Sequence, residues 1–294
     1  MVNIYYPENG FSGCLFTPAP GIGMAQGNAV IVLTGTDGGI DRAKIIARKF
    51  AESGFISLAV GYYKINGLHR AIHKIPLEYI ERAILWLKEF RRASISSISI
   101  YGFSKGAEYA LLASAIFPDI QHTIAVVPNY YAAEGKGKGI MNNAGAPWSY
   151  RGKALPFAGL RKTTLAFLRS SLKEKQVSIA ARYMLAEKRG IPEDAIIPVE
   201  KSRSRILLLS ASNDTIWPSK HASEEIIKRL DAVRYPYEYK HVNYSEASHF
   251  LSPLGDEYLR KYRFAMRYER EHPVQCEEAR TSAWNETLGW LGKE

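Results

Sequence analysis

A serine between two glycines carries the clearest chemical signal in this chain. The pentapeptide GFSKG at 102–106 matches the pattern G-x-S-x-G and places Ser104 at its centre. An apolar β-type run at 98–101 precedes it and a helical run follows it, which is the strand–turn–helix setting of a nucleophile elbow. Such a tight turn needs minimal side chains on both sides of the serine. Ser104 is therefore the predicted nucleophile, with a simple helix N-cap as the alternative.

A serine hydroxyl is a weak nucleophile at neutral pH and needs a histidine base that a carboxylate orients. In hydrolases with this elbow the order along the chain is serine, acid, histidine. His249 follows the last predicted strand and is the predicted base, with His272 as the alternative. Asp214 follows an apolar run and a short polar loop and is the predicted acid, with Glu246 as the other nearby carboxylate.

Two backbone N–H groups should stabilise the oxyanion that forms when the serine attacks a carbonyl. The elbow supplies one of them, the N–H of Lys105. The loop after the strand at 28–34 should supply the other, and its sequence GTDGG at 35–39 lets the backbone approach a ligand closely. The sequence leaves Thr36 and Asp37 open as the second donor.

Alternating strands and helices must position these residues. Continuous apolar runs predict strands buried on both faces, at 28–34, 55–60, 97–101, 122–127, 205–209 and 237–242. Helical periodicity predicts helices at 41–53, 77–92, 104–116, 220–230 and 279–291. The segments 2–6 and 13–17 have no helix between them and predict an antiparallel start. The pattern predicts a single α/β domain over 1–294, with a mostly parallel sheet and helices on both faces.

A long insertion at 129–200 interrupts this rhythm, and such insertions in compact domains are usually lids or binding elements. We expect it to form a cap with a helix near 171–188. Trp148 and Tyr150 are predicted substrate contacts in the cap, and Trp217 is a further one beside the acid. Arg151 and Lys153 are predicted to bind anionic substrate groups. They belong to a basic set that also contains Lys136, Lys138, Arg161, Lys162 and Arg169.

Composition narrows the class of protein. The chain has 46% hydrophobic and 23% charged residues, which is ordinary for a globular protein. Its net charge of +10 suits an anionic partner or simply a basic surface, and no nucleic-acid-binding motif accompanies it. No apolar stretch is long enough for a membrane span, no secretory signal is evident, and Cys14 and Cys276 lack a metal-like spacing. We expect a cytoplasmic protein that needs no metal or organic cofactor.

Several strings resemble one family, the acyl-CoA thioesterases and bile acid-CoA:amino acid N-acyltransferases, over nearly the whole chain. The elbow with its continuation GFSKGAE at 102–108 is the most specific of them. Further similar strings are LTGTDGG at 33–39, PLEYIE at 76–81, KALPF at 153–157, IPVE at 197–200 and DTIWPS at 214–219. The resemblance implies the family's C-terminal catalytic domain, an α/β-hydrolase fold like that of dienelactone hydrolases.

The resemblance implies hydrolysis of an acyl thioester by a Ser104–His249–Asp214 triad through an acyl-enzyme. Members that transfer the acyl group to an amino acid carry cysteine as nucleophile, so Ser104 favours water as the acceptor. The alternatives are a carboxylesterase or lactone hydrolase of the dienelactone-hydrolase type and, with less support, an acyl-CoA N-acyltransferase. A binding module on an inactive hydrolase is disfavoured because the triad is complete. The sequence predicts neither acyl chain length nor oligomeric state.

Overall fold

Eight strands form the central sheet of the computed structural model, which describes residues 1–19, 27–90, 95–137, 142–160, 168–169, 171–173, 175–260 and 262–292. The strands are β1 (Val2–Ile4), β2 (Ser12–Phe16), β3 (Asn28–Leu33), β4 (Ile56–Gly61), β6 (Ser97–Phe103), β7 (Ile120–Val126), β10 (Arg205–Asn213) and β11 (Tyr239–Ser248). Strands β5 (Ile75–Pro76), β8 (Trp148–Tyr150) and β9 (Lys153–Ala154) form a small second sheet.

The large sheet has the strand order β1-β2-β4-β3-β6-β7-β10-β11. β1 pairs antiparallel with β2 and β2 with β4, while every later pairing is parallel. The carboxyl ends of β3, β6, β7, β10 and β11 therefore lie at one edge. Ligand sites of open α/β sheets form there, and the predicted nucleophile, acid and base all follow these strands.

Helices cover both faces of the sheet, as the strand–helix alternation predicts. They are α1 (Asp41–Glu52), α2 (Glu78–Glu89), α3 (Lys105–Ile116), α4 (Ala180–Lys188), α5 (Ser219–Ala232), α6 (Asp256–Arg260), α7 (Arg267–Glu271) and α8 (Pro273–Leu291). α1 and α8 pack on one face, where the Phe50 and Trp284 ring centroids are 4.5 Å apart. α2, α3 and α5 pack on the other face. Ten of the twelve residues of α3 are buried, because this helix lies between the sheet and the insertion.

Three predicted boundaries differ from the structure by six residues or more. β11 continues six residues beyond the predicted end and reaches Ser248, so His249 directly follows the strand. α8 begins earlier, at Pro273, since proline fits the first turn of a helix. In the segment predicted as one helix near 171–188, residues 171–173 are helical and α4 begins at Ala180, where the N–H groups of Ile179 and Ala180 donate to the Thr215 carbonyl at 2.9 and 3.1 Å.

The insertion at 129–200 packs as part of the molecule. It contributes β8, β9 and α4, and it builds a third apolar cluster with Trp217 from the loop after β10. Its other buried members are Tyr131, Ala133, Ala158, Leu160, Tyr183, Ala186 and Ala195. This cluster joins the insertion to the loop that carries Asp214, so the insertion walls the same sheet edge.

Candidate active site

The three residues predicted for catalysis lie in one hydrogen-bonded line. Ser104 Oγ lies 2.9 Å from His249 Nε2, and His249 Nδ1 lies 2.9 Å from both carboxylate oxygens of Asp214. Asp214 also accepts the N–H groups of Ile216 and Trp217, which hold its carboxylate in place. All three side chains are nearly inaccessible to solvent. This is the geometry in which a carboxylate orients an imidazole toward a hydroxyl.

The turn around Ser104 is strained. Ser104 has φ 57° and ψ −124°, a left-handed conformation that non-glycine residues rarely adopt. A side chain on Gly102 would lie 2.3 Å from the Gly106 carbonyl oxygen, and one on Gly106 would lie 2.5 Å from the Thr34 carbonyl oxygen. Both flanking positions therefore need glycine, which is the physical reason for the two glycines in the motif.

The loop after β3 lies directly against the serine. A side chain on Gly35 would meet Ser104 Cβ at 2.9 Å, so only glycine allows this approach. The Tyr62 hydroxyl donates to the Thr34 carbonyl at 2.6 Å and lies 3.1 Å from the Gly35 carbonyl, which fixes the loop. Thr36 and Asp37 line the same cavity as Ser104 and Lys105. The two regions predicted to donate to an oxyanion thus meet beside the serine.

A cavity of about 430 Å³ opens over Ser104 and His249, within the usual range for small-molecule sites. The main domain lines it with Gly35, Thr36, Asp37, Arg42, Lys64, Phe103, Ser104, Lys105, Ile216, Trp217, His249, Phe250, Tyr262 and Met266. The insertion lines it with Glu134, Gly135, Lys136, Asn142, Asn143, Leu160, Val177, Ile179, Arg182 and Tyr183. The predicted contact Trp217 is among them, with its ring edge-on to His249 at 5.5 Å between centroids.

Four predicted substrate contacts are absent from the lining of this cavity, so its geometry does not support these predictions. Trp148 is fully buried, stacks on Tyr109 at 4.5 Å and donates its indole N–H to Glu108. Its hydrogen bond draws the ring into the core. Tyr150, Arg151 and Lys153 follow it along β8 and β9, at the small sheet beyond the cavity wall.

The remaining basic residues of the predicted set divide into three groups. Lys136 lines the cavity, whereas Arg169 is exposed outside it. Lys138, Arg161 and Lys162 lie outside the residues that the structure describes.

A buried ion pair that the sequence analysis did not predict lies next to the nucleophile. Lys105 Nζ lies 2.7 and 2.8 Å from the Glu108 carboxylate oxygens and 2.5 Å from the Ala133 carbonyl. Glu108 also accepts the Trp148 indole N–H at 2.6 Å and the Ala133 N–H at 3.3 Å. Burial lowers the pKa of Lys105 and raises that of Glu108. This network, which we call the nucleophile-side pair, joins the start of α3 to the insertion.

A second buried ion pair lies beside the base. Arg280 donates from one nitrogen to both carboxylate oxygens of Glu269, at 2.8 and 3.0 Å. Glu269 accepts the Ser248 hydroxyl at 2.6 Å, and Ser248 Oγ accepts the Phe250 N–H at 3.2 Å. This base-side pair therefore holds both chain neighbours of His249. Sequence offered no signal for it, since the two residues lie on different helices.

A third ion pair, also unforeseen, stabilises the proposed oxyanion loop. Arg42 Nε lies 3.1 Å from Asp37 Oδ2 and 3.1 Å from the Tyr258 hydroxyl. The Arg42 guanidinium also lies within 6 Å of the ring centres of Phe103, Phe250, Tyr258 and Tyr262. The Asp37 side chain is thereby held back against α1.

Neither alternative assignment shares this geometry. Glu246 is exposed on β11 and accepts the Tyr268 hydroxyl. His272 stacks on the same Tyr268 ring, at 4.5 Å between centroids. Within the described ranges, no group of three or more His, Cys, Asp and Glu side chains is placed to hold a metal ion. None of the helices in those ranges is long and apolar enough to cross a membrane.

Comparison with known sequences identifies one family. Residues 75–293 match the family model described as BAAT / Acyl-CoA thioester hydrolase C terminal. Human acyl-coenzyme A thioesterase 1 is 28% identical over 245 residues, which cover 82% of this chain and 52% of that protein. Human mitochondrial acyl-coenzyme A thioesterase 2 is 28% identical over 82% of this chain and 45% of its own length. The chain thus spans about half the length of these relatives.

Comparison with solved structures identifies the fold. A putative dienelactone hydrolase from Klebsiella pneumoniae superposes with a TM-score of 0.58 at 16% identity, covering 97% of this chain and 93% of its own. MGS-M1, an α/β hydrolase from a deep-sea metagenome library, superposes with a TM-score of 0.57 at 14% identity, covering 99% and 95%. The predicted α/β-hydrolase fold is confirmed.

Proposed function

We propose that this chain, which belongs to the BAAT / acyl-CoA thioester hydrolase C-terminal family, is a serine hydrolase that cleaves acyl-CoA thioesters. The observation that carries the proposal is the Ser104–His249–Asp214 line beside a cavity of about 430 Å³ that Ser104 and His249 help to line. The choice of a thioester as substrate rests on the family match, because the same triad can also hydrolyse oxygen esters.

In the first step the Ser104 hydroxyl attacks the acyl carbonyl carbon while His249 Nε2 accepts its proton across 2.9 Å. Asp214 holds the other ring nitrogen and stabilises the imidazolium that forms. The negative oxygen receives the Lys105 N–H and an N–H from the loop at Thr36 or Asp37. The C–S bond then breaks, and the proton on His249 passes to the departing sulfur.

In the second step water replaces the thiol. His249 removes a proton from the water, whose oxygen attacks the acyl carbon on Ser104. The C–O bond to Ser104 breaks, the proton returns to the serine, and the carboxylic acid leaves. The chain's own residues supply every proton transfer in this cycle, so the proposed reaction needs only water as its second reactant.

The test combines labelling with a substrate panel. A fluorophosphonate probe should label the wild type at Ser104 and should not label Ser104→Ala, as mass spectrometry of the digest would show. The kcat/KM values of acyl-CoA thioesters should exceed those of nitrophenyl esters with the same acyl groups. A preference for the oxygen esters would contradict the thioesterase proposal and support a carboxylesterase. Acyl transfer to an added amino acid in place of hydrolysis would support an N-acyltransferase.

A further inference from the structure

Two lysines on different segments line the cavity that contains Ser104. Lys64 follows β4 in the main domain, whereas Lys136 belongs to the insertion. Burial and the charge of Lys64 lower the pKa of Lys136, and the charge of Asp37 opposes them. Lys136 is half-buried, whereas Lys64 is exposed at the cavity.

Neither lysine has a carboxylate partner within the described part of the chain. Lys136 Nζ takes part in no hydrogen bond or ion pair there, whereas Lys64 Nζ lies 3.5 Å from the Asp37 carbonyl oxygen and 5.4 Å from the centre of the Tyr63 ring. The two carboxylates that line the cavity are already engaged. Asp37 is paired with Arg42, and Glu134 accepts from Asn143 and from the Leu160 N–H.

The other cations of the cavity wall each have a polar side-chain partner. Lys105 is neutralised by Glu108, Arg42 by Asp37, and the Arg182 guanidinium donates to the Asn143 side chain. Lys64 and Lys136 are thus the two lysines of the described lining whose ammonium groups have no ion-pair partner. Lys64 is exposed and Lys136 is half-buried, and a half-buried charge is costly unless an opposite charge joins it.

The backbone holds both lysines in place. Lys64 has φ 55° and donates its N–H to the His69 carbonyl at 2.7 Å, and the Lys136 carbonyl accepts the Ile72 N–H at 2.9 Å. One loop, 64–72, thus carries one lysine and supports the other. Gly38 leaves room for the Lys64 stem, since a side chain there would meet Lys64 Cδ at 2.6 Å. A restrained backbone reduces the entropy that these two segments would lose when a ligand binds.

We propose that Lys64 and Lys136 form a subsite for an anionic group of the substrate. This inference rests on the proposed function and adds the chemical class that the cavity selects. Two parts of a thioester substrate carry such a group: a phosphate of the CoA leaving group, or a carboxylate at the far end of the acyl chain. Lysines bind either as point charges.

The test uses three six-carbon thioesters that carry their negative charge in different places or carry none. Hexanoyl-CoA carries phosphates, the adipoyl monothioester of N-acetylcysteamine carries one acyl carboxylate, and hexanoyl-N-acetylcysteamine carries no charge. Lys64→Met and Lys136→Met remove the ammonium and keep most of the apolar stem. Each should raise the KM of the recognised anionic substrate about tenfold, as expected for one lost charged hydrogen bond, and leave the neutral thioester within about twofold.

The pattern of KM values identifies the source of the anion. An increase confined to hexanoyl-CoA assigns the subsite to a phosphate, and an increase confined to the adipoyl thioester assigns it to an acyl carboxylate. Equal changes for all three substrates, or no change for either anionic one, would overturn the proposal. Lys201→Met is the matched control, because Lys201 is exposed and lies outside the cavity lining.

A binding measurement separates this inference from the proposed function. If the wild type hydrolyses none of the thioesters faster than Ser104→Ala, the proposed function fails, whatever the lysines do. Calorimetry with CoA and with adipate then tests the subsite directly. The wild type should bind one of them at least tenfold more tightly than Lys64→Met/Lys136→Met. Equal affinity, or no binding of either ligand to the wild type, would overturn the subsite.

Discussion

The two sides of the proposed catalytic site are each held by a buried ion pair, but the pairs are built differently. The nucleophile-side pair joins Lys105 and Glu108, three residues apart on α3, and extends to Ala133 and Trp148 of the insertion. The base-side pair joins Glu269 of α7 to Arg280 of α8 and reaches the two neighbours of His249.

The difference concerns both what each pair holds and how it responds to charge. The nucleophile-side pair links the elbow to the cavity wall, whereas the base-side pair holds only the segment around His249. Lysine can lose its proton when buried without a partner, but arginine stays protonated at any ordinary pH. When its carboxylate is removed, each pair should therefore change the free energy of unfolding with a different dependence on pH.

The largest effects on kcat should come from removing the nucleophile Ser104 or the base His249. Ser104→Ala and His249→Ala should each lower kcat by about 10⁴ to 10⁶, because the two groups act as one unit. For the same reason the double variant should be no worse than the single ones, as steady-state kinetics would show. If His249→Ala retained near-normal kcat, the base would be misassigned. Unchanged thermal unfolding would show that the fold is intact.

Asp214→Asn should lower kcat by about 10⁴, since an amide holds the imidazole in the wrong tautomer. Glu246→Gln is the matched control on the same side of the site, and it should change kcat little because Glu246 is exposed and bonded to Tyr268. The reverse pattern in kcat would exchange the two carboxylates and would contradict the geometry at His249.

The two ion pairs should differ in stability when each loses its carboxylate. Glu269→Gln leaves a buried arginine charge and should cost about 3 kcal/mol in the free energy of unfolding, near the lower end for buried pairs because Glu277 still contacts Arg280. Glu108→Gln should cost less at pH 9 than at pH 7. Urea unfolding at both pH values, expressed relative to the wild type, gives both numbers.

The sign of this pH effect follows from the Lys105 pKa. Burial lowers that pKa in the folded state, and removing Glu108 takes away the charge that opposes this shift. The unfolded chain then binds more protons than the folded one, so stability rises with pH up to the ordinary lysine pKa. Glu269→Gln should show no such rise. A rise in both variants, or in neither, would remove the distinction between the two pairs.

The smallest effect should lie at the far end of the nucleophile-side network. Arg151 and Lys153 follow Trp148 along the small sheet, outside the cavity lining. The double variant Arg151→Ala/Lys153→Ala should leave the KM for acyl-CoA within about twofold, since exposed charges far from a ligand are screened by salt. A tenfold increase in this KM would mean that the substrate extends over the small sheet.

The sequence by itself determined the fold class and the candidate triad, because both depend on local patterns. Apolar runs alternating with helical periodicity specify the parallel sheet. The two glycines around Ser104 specify a turn that only glycine allows. The acid and the base are each recognised because they follow a predicted strand. The Lys105–Glu108 spacing was also a readable signal, since residues three apart on a helix are neighbours.

Only the tertiary structure decided which side chains wall the cavity. Trp148 is a residue type that often contacts substrates. Here it is buried in the core, where its indole N–H donates to Glu108, forty residues away along the chain. Lys64 and Lys136 line one cavity although they belong to distant segments, and Glu269 of α7 pairs with Arg280 of α8. These pairings depend on how distant segments pack. A local sequence pattern reflects the backbone preference of each residue. It does not show which distant side chain that residue will contact in the folded protein.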